Sequence, residues 1–160
     1  MNFKVFIRNI FIVTVATLVL SACATKTTTL PSQIQGDVYT GTDTVEYLAK
    51  GVPDRVFFAT NESVLTTASR DTLRKQAAWM RTNDSLSFTI EGHADERGTR
   101  EYNLALGERR ANAAKDYLMT YGISGNRLSV ISYGKERPVN SGSNPLAWSQ
   151  NRRSVTVKAN

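Results

Sequence analysis

Leu86-Ser87-Phe88-Thr89-Ile90-Glu91-Gly92-His93-Ala94-Asp95-Glu96-Arg97-Gly98 decides the fold of this chain, because local structure changes character within it. Leu86, Phe88 and Ile90 alternate with Ser87, Thr89 and Glu91, the period of a half-buried strand. Gly92 to Gly98 is a polar loop between two glycines. Beyond it a helix is expected from about Glu101 to Tyr121, with Gly107, Ala111, Ala114, Leu118 and Tyr121 along one stripe. Gly122 then stands where a left-handed cap ends a helix.

Similar units flank this one. Arg55-Val56-Phe57-Phe58 has the β-branched and aromatic content of a short strand, and Thr60-Asn61-Glu62-Ser63 reads as a turn. A helix is expected from about Thr66 to Asn83, with Leu73, Ala77 and Met80 on one face. Leu128 to Tyr133 reads as a third strand, Gly134 to Pro145 as a loop, and Ser154 to Lys158 as a last strand. The order βαβαββ predicts an α+β domain over 52–160, with helices packed on one face of a mixed sheet. No internal repeat is visible.

Residues 23–51 are rich in Thr, with Ser, Gln and Gly and no sustained apolar period, so they are expected to form a flexible tether. A short helical turn at Thr44 to Leu48 is its one local signal. The net charge of +6 falls by two if Lys4 and Arg8 leave with an amino-terminal segment. The remaining basic residues are scattered, which argues against a nucleic-acid face.

The phase of the second helix nominates a site. Asn103, Leu106 and Arg110 fall at i, i+3 and i+7 and share a face beside the small-residue stripe. Arg110 has no acid at i±3 or i±4, where Leu106, Gly107, Ala113 and Ala114 stand. A guanidinium near the core side of a helix needs a partner, because burying it unpaired costs several kcal/mol. Asp95, in the loop before the helix, stands ready to face it across a small cleft. Such a pair would suit a zwitterion, with ammonium to Asp95, carboxylate to Arg110, and neutral hydrogen bonds from Asn103. The alternative is structural: Asp95 shapes its turn, and Arg110 pairs with it or with Glu96.

Other chemistry finds less support. His93-x-Asp95 is half a metal site at most, and zinc needs three or four ligands where this chain has one His and one Cys. His93 is expected instead to fix its loop through a ring hydrogen bond. No G-x-S-x-G elbow is present for a serine hydrolase. A peptidase or amidase using His93 and Asp95 remains the enzymatic alternative. Trp79 and Trp148 could stack on sugars or simply pack. Arg152-Arg153 could grip anions or mark a solvated strand entry.

The run Glu91 to Thr99, then Glu101-Tyr102-Asn103-Leu104 and Leu106-Gly107-Glu108-Arg109-Arg110-Ala111, resembles the OmpA-like carboxy-terminal domain family, in its branch of peptidoglycan-associated lipoproteins. Ser132-Tyr133-Gly134-Lys135-Glu136-Arg137-Pro138 and Asn151-Arg152-Arg153 extend the likeness, which covers about Val56 to Lys158. The resemblance implies non-covalent binding of the diaminopimelate-containing stem peptide of peptidoglycan, with no catalysis and no cofactor. It places the ligand-gripping acid at Asp95, the arginine at Arg110, and Asn103 and Leu106 in the same stretch. It also implies TolB and other Tol-system proteins as partners, competing with the wall for this surface. One departure stands out: where such lipoproteins carry an acidic turn after the first strand, this chain has Ala59-Thr60-Asn61. Asn61 resembles the asparagine of other OmpA-like domains and is expected to supply contacts there.

Cys23 completes the expectation. A basic start, an uncharged run of eleven residues from Ile10 to Leu20, and then Ser21-Ala22-Cys23 read as a secretory signal peptide over 1–22. A bilayer-spanning helix needs about twenty residues. Leu20-Ser21-Ala22-Cys23 resembles the lipobox of bacterial lipoproteins, which implies cleavage before Cys23 and its lipidation. A lone cysteine forms no intramolecular disulfide, and lipidation removes a free thiol. Two or more acyl chains anchor stably. Ala24 in place of Asp implies, by the same resemblance, the outer membrane, with the domain facing the periplasm.

Overall fold

The computed structural model describes residues 33–159. Cys23 and the signal segment lie outside the described residues. The elements in order are β1 (Ile34–Gln35), β2 (Val38–Tyr39), β3 (Tyr47–Ala49), β4 (Val52–Pro53), β5 (Arg55–Phe57), α1 (Thr67–Thr82), β6 (Phe88–His93), α2 (Arg100–Thr120), β7 (Leu128–Gly134), α3 (Pro145–Asn151) and β8 (Arg153–Lys158). The main sheet has the order β5-β8-β6-β7. β6 and β7 run parallel, while β8 is antiparallel to both β5 and β6, so the sheet is mixed as expected.

Apolar periodicity explains how the layers meet. Leu73, Ala77 and Met80 of α1 join Ala111, Ala114 and Leu118 of α2 over Val56, Phe88, Ile90 and Leu128 of the sheet, in one buried core. Thr66 caps α1 by accepting the Ser69 N–H at 3.1 Å, and Thr99 caps α2 by accepting the Tyr102 N–H at 3.2 Å. At the far end of α2, Gly122 adopts φ +84, the left-handed conformation anticipated for it. Gly92 and Gly107 let β6 and α2 touch backbone to backbone. A Cβ at Gly92 would stand 1.8 Å from the Gly107 carbonyl oxygen. This seam fixes the height of α2 above the end of β6, where the loop to Gly98 begins.

Over 52–160 the order adds to βαβαββ the short strand β4, a single 3-10 turn at Gly125–Arg127 and one short α-helix. Asn144 caps α3 by accepting the Ala147 N–H at 3.0 Å, and Pro145 occupies its first turn. The dipeptide carries that signal, since proline at the first helical position uses no donor the helix needs.

The expected tether needs correction over its described part, 33–51. These residues form the β1–β2 hairpin and strand β3, which pairs with β4 just beyond them in a second hairpin laid against the domain. Tyr39 is only 2% exposed and meets Phe57 edge-on at 4.7 Å between ring centroids. Gln150 donates to Asp43 Oδ2 at 3.1 Å, and the Thr60 N–H donates to Asp37 Oδ2 at 2.6 Å. The helical turn expected at Thr44 to Leu48 is replaced by entry into β3. Strands of two or three residues leave no period to read, and the partners that order them lie far along the chain. No helix among the described residues is long and apolar enough to cross a membrane.

Candidate functional site

Helical phase brings Asn103, Leu106 and Arg110 to one side of α2, all buried, at the carboxyl end of β6. They line a cleft of about 240 Å³ with Asp95, Arg97 and Gly98 of the β6–α2 loop, Tyr102 of α2, and Thr60 and Asn61 of the turn after β5. All five residues expected in the site outside the lipidation signal therefore share one concavity.

Arg110 is fully buried and pairs with neither Asp95 nor Glu96. Its Nε donates to Glu62 O at 2.8 Å, Nη1 to His93 O at 2.9 Å, and Nη2 to Ala59 O at 3.0 Å. A guanidinium has five N–H donors. Three hold neutral carbonyls and thereby join two loops, while no carboxylate among the described residues cancels the charge. Burial, with Arg152 nearby, pushes its pKa down to about 10, so it stays protonated at neutral pH. The structural alternative for Arg110 fails in its ion-pair form, although the carbonyl bonds give the side chain a structural duty as well.

Asp95 is held differently. Its Oδ1 accepts the Arg97 backbone N–H and Nε, each at 3.1 Å, and its Oδ2 accepts Arg97 Nη2 at 2.7 Å and Arg152 Nη1 at 3.3 Å. Burial would raise the carboxyl pKa, but the hydrogen bonds from Arg97 and Arg152 outweigh it and hold the group below the ordinary value. Asp95 thus shapes its own turn and also presents charge to the cleft. Arg97 is half-exposed and stacks over the Trp148 ring, 4.4 Å from its centroid.

The neutral groups are also fixed. Asn103 Nδ2 donates to Arg97 O at 2.8 Å, closing the loop onto the helix. Asn61 takes φ 59, a left-handed conformation that asparagine tolerates, and its Oδ1 accepts the Tyr102 hydroxyl. Sequence reasoning missed Thr60, Arg97, Gly98 and Tyr102 as lining residues, although three of them lie within or beside the stretch that decides the fold. Of the two readings open for Arg152-Arg153, the structure removes the solvated strand entry. Both are buried, and Arg152 donates to Asp95, to Phe58 O at 3.1 Å and to the Asp37 carbonyl, so neither is a solvated strand entry.

His93 is not part of the cleft. Gly92 faces α2, so the alternation of the strand turns the His93 side chain to the opposite face. The ring hydrogen bond expected of it is weak at best: neither nitrogen has a well-aligned partner among the described residues, although Nε2 stands 3.5 Å from Glu91 Oε2 and the Arg137 backbone acts on the ring. Its backbone carbonyl holds Arg110 instead. Among the described residues no three His, Cys, Asp or Glu side chains gather as a metal site.

Residues 57–152 match the model of the OmpA family. The chain belongs to the OmpA family. It is 47% identical over 155 residues to the peptidoglycan-associated lipoprotein of Rhizobium meliloti, a match covering 94% of this chain and 88% of that one. The lipoprotein of the same name from Brucella melitensis is 55% identical over 106 residues, 66% of this chain and 63% of its own. These relatives place the chain in the peptidoglycan-associated lipoprotein branch, whose names describe an association and not a reaction. The crystal structure of the peptidoglycan-associated lipoprotein from Burkholderia pseudomallei superposes with a TM-score of 0.65 at 34% identity, over 66% of this chain and 90% of that one. The OmpA-like domain of FopA1 from Francisella tularensis, at 19% identity and a TM-score of 0.61, shares the fold. OmpA family membership and the mixed sheet thus agree with the expectation drawn from Glu91 to Ala111.

Proposed function

We propose that this OmpA-family chain binds peptidoglycan non-covalently through the diaminopimelate end of an uncross-linked stem peptide. The observation that carries this reading is Arg110, a buried guanidinium without a carboxylate partner, lining the same cleft as Asp95. The ligand's terminal carboxylate takes the guanidinium donors not used by carbonyls, and its ammonium takes the Asp95 carboxylate. Arg97, being half-exposed, shifts along Trp148 to admit the ammonium. Leu106 lies along the aliphatic stem, while Asn61, Asn103 and Tyr102 orient it. No bond is broken. The His93 side chain faces away from Asp95, which leaves the peptidase alternative without a base at the cleft.

Cross-linking converts the far amine to an amide and removes its charge, so cross-linked stems bind more weakly. With lipidation at Cys23, the protein fastens the outer membrane to the wall. In this reading it serves the Tol-Pal system in envelope integrity and cell division, and TolB competes for the same surface. The relatives' names support the wall partner; the Tol connection rests on resemblance.

Sacculus co-sedimentation tests the proposal. Asp95→Asn and Arg110→Lys keep the side chains' size and much of their bonding, and each is expected to lower the bound fraction at least about tenfold. Unchanged co-sedimentation would leave a purely protein-binding lipoprotein, and release of soluble muropeptides would mean an enzyme. Equal affinity for cross-linked and free stems would refute the zwitterion account.

A further inference from the structure

The stretch Ala59-Thr60-Asn61 after β5 carries no acid, yet a carboxylate from the first hairpin reaches it. Asp37, at the tip of the β1–β2 hairpin beside Gly36, accepts the Thr60 N–H through Oδ2 at 2.6 Å. The Asp37 carbonyl accepts Arg152 Nη2, and the same guanidinium donates through Nη1 to Asp95. Thr60 Oγ1 in turn accepts Arg97 Nη2 at 3.4 Å. Asp37, Thr60, Arg97, Arg152 and Asp95 therefore form one network at one end of the cleft, closed by a hairpin that sequence reasoning assigned to the tether.

Charge decides what such a network can do. Asp95 alone faces two guanidiniums, Arg97 and Arg152, with Arg110 beyond them. One carboxylate against three cations repels an arriving ammonium, whatever its hydrogen-bonding geometry. Glu96, the next acid along the loop, keeps its charge and acts on Arg97, but its carboxylate is turned outside the cleft toward the Trp148 indole N–H at 2.8 Å and Ser143. Asp37 supplies the missing negative charge. Burial tends to raise its pKa, but the Thr60 hydrogen bonds and the Arg152 charge hold it below the ordinary carboxylate value, and its charge favours the protonated forms of both Arg97 and Arg152. With Asp37 counted, both Asp95 and Asp37 offset Arg97 and Arg152. Arg110, which pairs with no carboxylate among the described residues, remains the complement of the ligand carboxylate.

We propose that Asp37 is a specificity-determining residue of the cleft: it renders the Asp95 end receptive to an ammonium and, through Thr60, positions the turn that carries Asn61. This rests on the zwitterion reading of the cleft and adds to it a residue from outside the matched OmpA region, 57–152. Asp37 acts through Thr60 and Arg152 and is a positioning residue. A residue that merely stapled the hairpin would affect every ligand alike.

The experiment uses the full chain and two probes: a stem tripeptide ending in diaminopimelate, and the same tripeptide with its far amine acetylated. Asp37→Asn keeps an oxygen for the Thr60 N–H and removes the charge; Asp37→Glu keeps the charge. Calorimetric titration of Asp37→Asn is expected to show about five- to tenfold weaker binding of the free amine and less than about twofold change for the acetylated probe. Asp37→Glu is expected to restore most of the discrimination, and thermal melting of each variant checks that the fold is kept. Equal weakening of both probes, or no change in either, overturns the inference while the reading of the cleft stands. If the wild-type chain binds neither probe, the zwitterion reading itself fails and the inference goes with it.

Discussion

Two concavities flank the start of this domain, and the larger is the less informative. A cavity of about 550 Å³ lies under the hairpins, lined by Tyr39, Val56, Phe57 and Arg55 among others. Arg55 is buried there, but Asp54 takes its Nε at 2.8 Å and its Nη2 at 2.7 Å, so the charge is spent within the fold. The cleft at the end of β6 has less than half that volume, and its Arg110 meets only carbonyls. Charge left uncancelled after folding, rather than volume, separates a place built to receive an ion from a gap between packed elements.

The strongest way to break this contrast is to change both arginines. Arg110→Ala leaves three carbonyls unsatisfied and is expected to cost at least about 3 kcal/mol, enough to confuse loss of binding with loss of fold. Arg55→Ala strands buried Asp54 at a cost of about 3–5 kcal/mol. The lysine variants are cleaner. Each is expected to cost about 1–3 kcal/mol in denaturant unfolding, yet only Arg110→Lys should lose wall binding. If Arg55→Lys released the sacculus equally, charge balance would not distinguish the two regions.

A second, smaller effect comes from the backbone. Gly92→Ala drives a Cβ into the Gly107 carbonyl and is expected to destabilise by about 3 kcal/mol while lifting α2 from the cleft. Gly51→Ala in the β3–β4 hairpin meets no atom and carries only the cost of its φ of +77, about 1–2 kcal/mol. Thermal unfolding should rank them in that order. A reversal would move the rigid part of the molecule from the seam to the hairpins.

The smallest expected effect separates the sheet's two faces by pH. Burial, then the charges of Arg153, Arg55 and Arg137, pushes the His93 pKa down to about 3. Between about pH 6.5 and 3 the unfolded chain takes up a proton that the folded chain refuses, so stability falls as pH falls through that window. His93→Leu should flatten this acid limb and leave wall binding at neutral pH unchanged. The depressed pKa of Asp95 has the same sign at lower pH: its contribution is present above the ordinary carboxylate value and lost as pH falls through its folded value. An acid limb unaltered by His93→Leu would assign the whole loss to carboxylates.

Legibility in the sequence followed distance along the chain. The β6–α2 unit was readable because periods of 2 and 3.6 fix which side chains share a face. Phase alone put Asn103, Leu106 and Arg110 together with Asp95 at their head. Nothing local announced that Arg152 would reach Asp95 across 57 positions, or that its guanidinium would meet the Asp37 carbonyl 115 positions away. The hairpins were misread for the same reason, since Tyr39 is buried by Phe57 and not by a neighbour. The α3 helix is a different case: Asn144-Pro145 announced it, but seven residues give too little period to weigh against the glycines before it.

The carbonyl cradle around Arg110 has a thermodynamic consequence. The guanidinium sheds its water when the chain folds, and its geometry is set before any ligand arrives. A carboxylate entering the cleft meets a donor that needs neither dehydration nor rotamer ordering, so association should proceed with little reorganisation. Its calorimetric signature should be a small heat-capacity change and a favourable enthalpy from the new ion pair, offset mainly by the carboxylate's own dehydration.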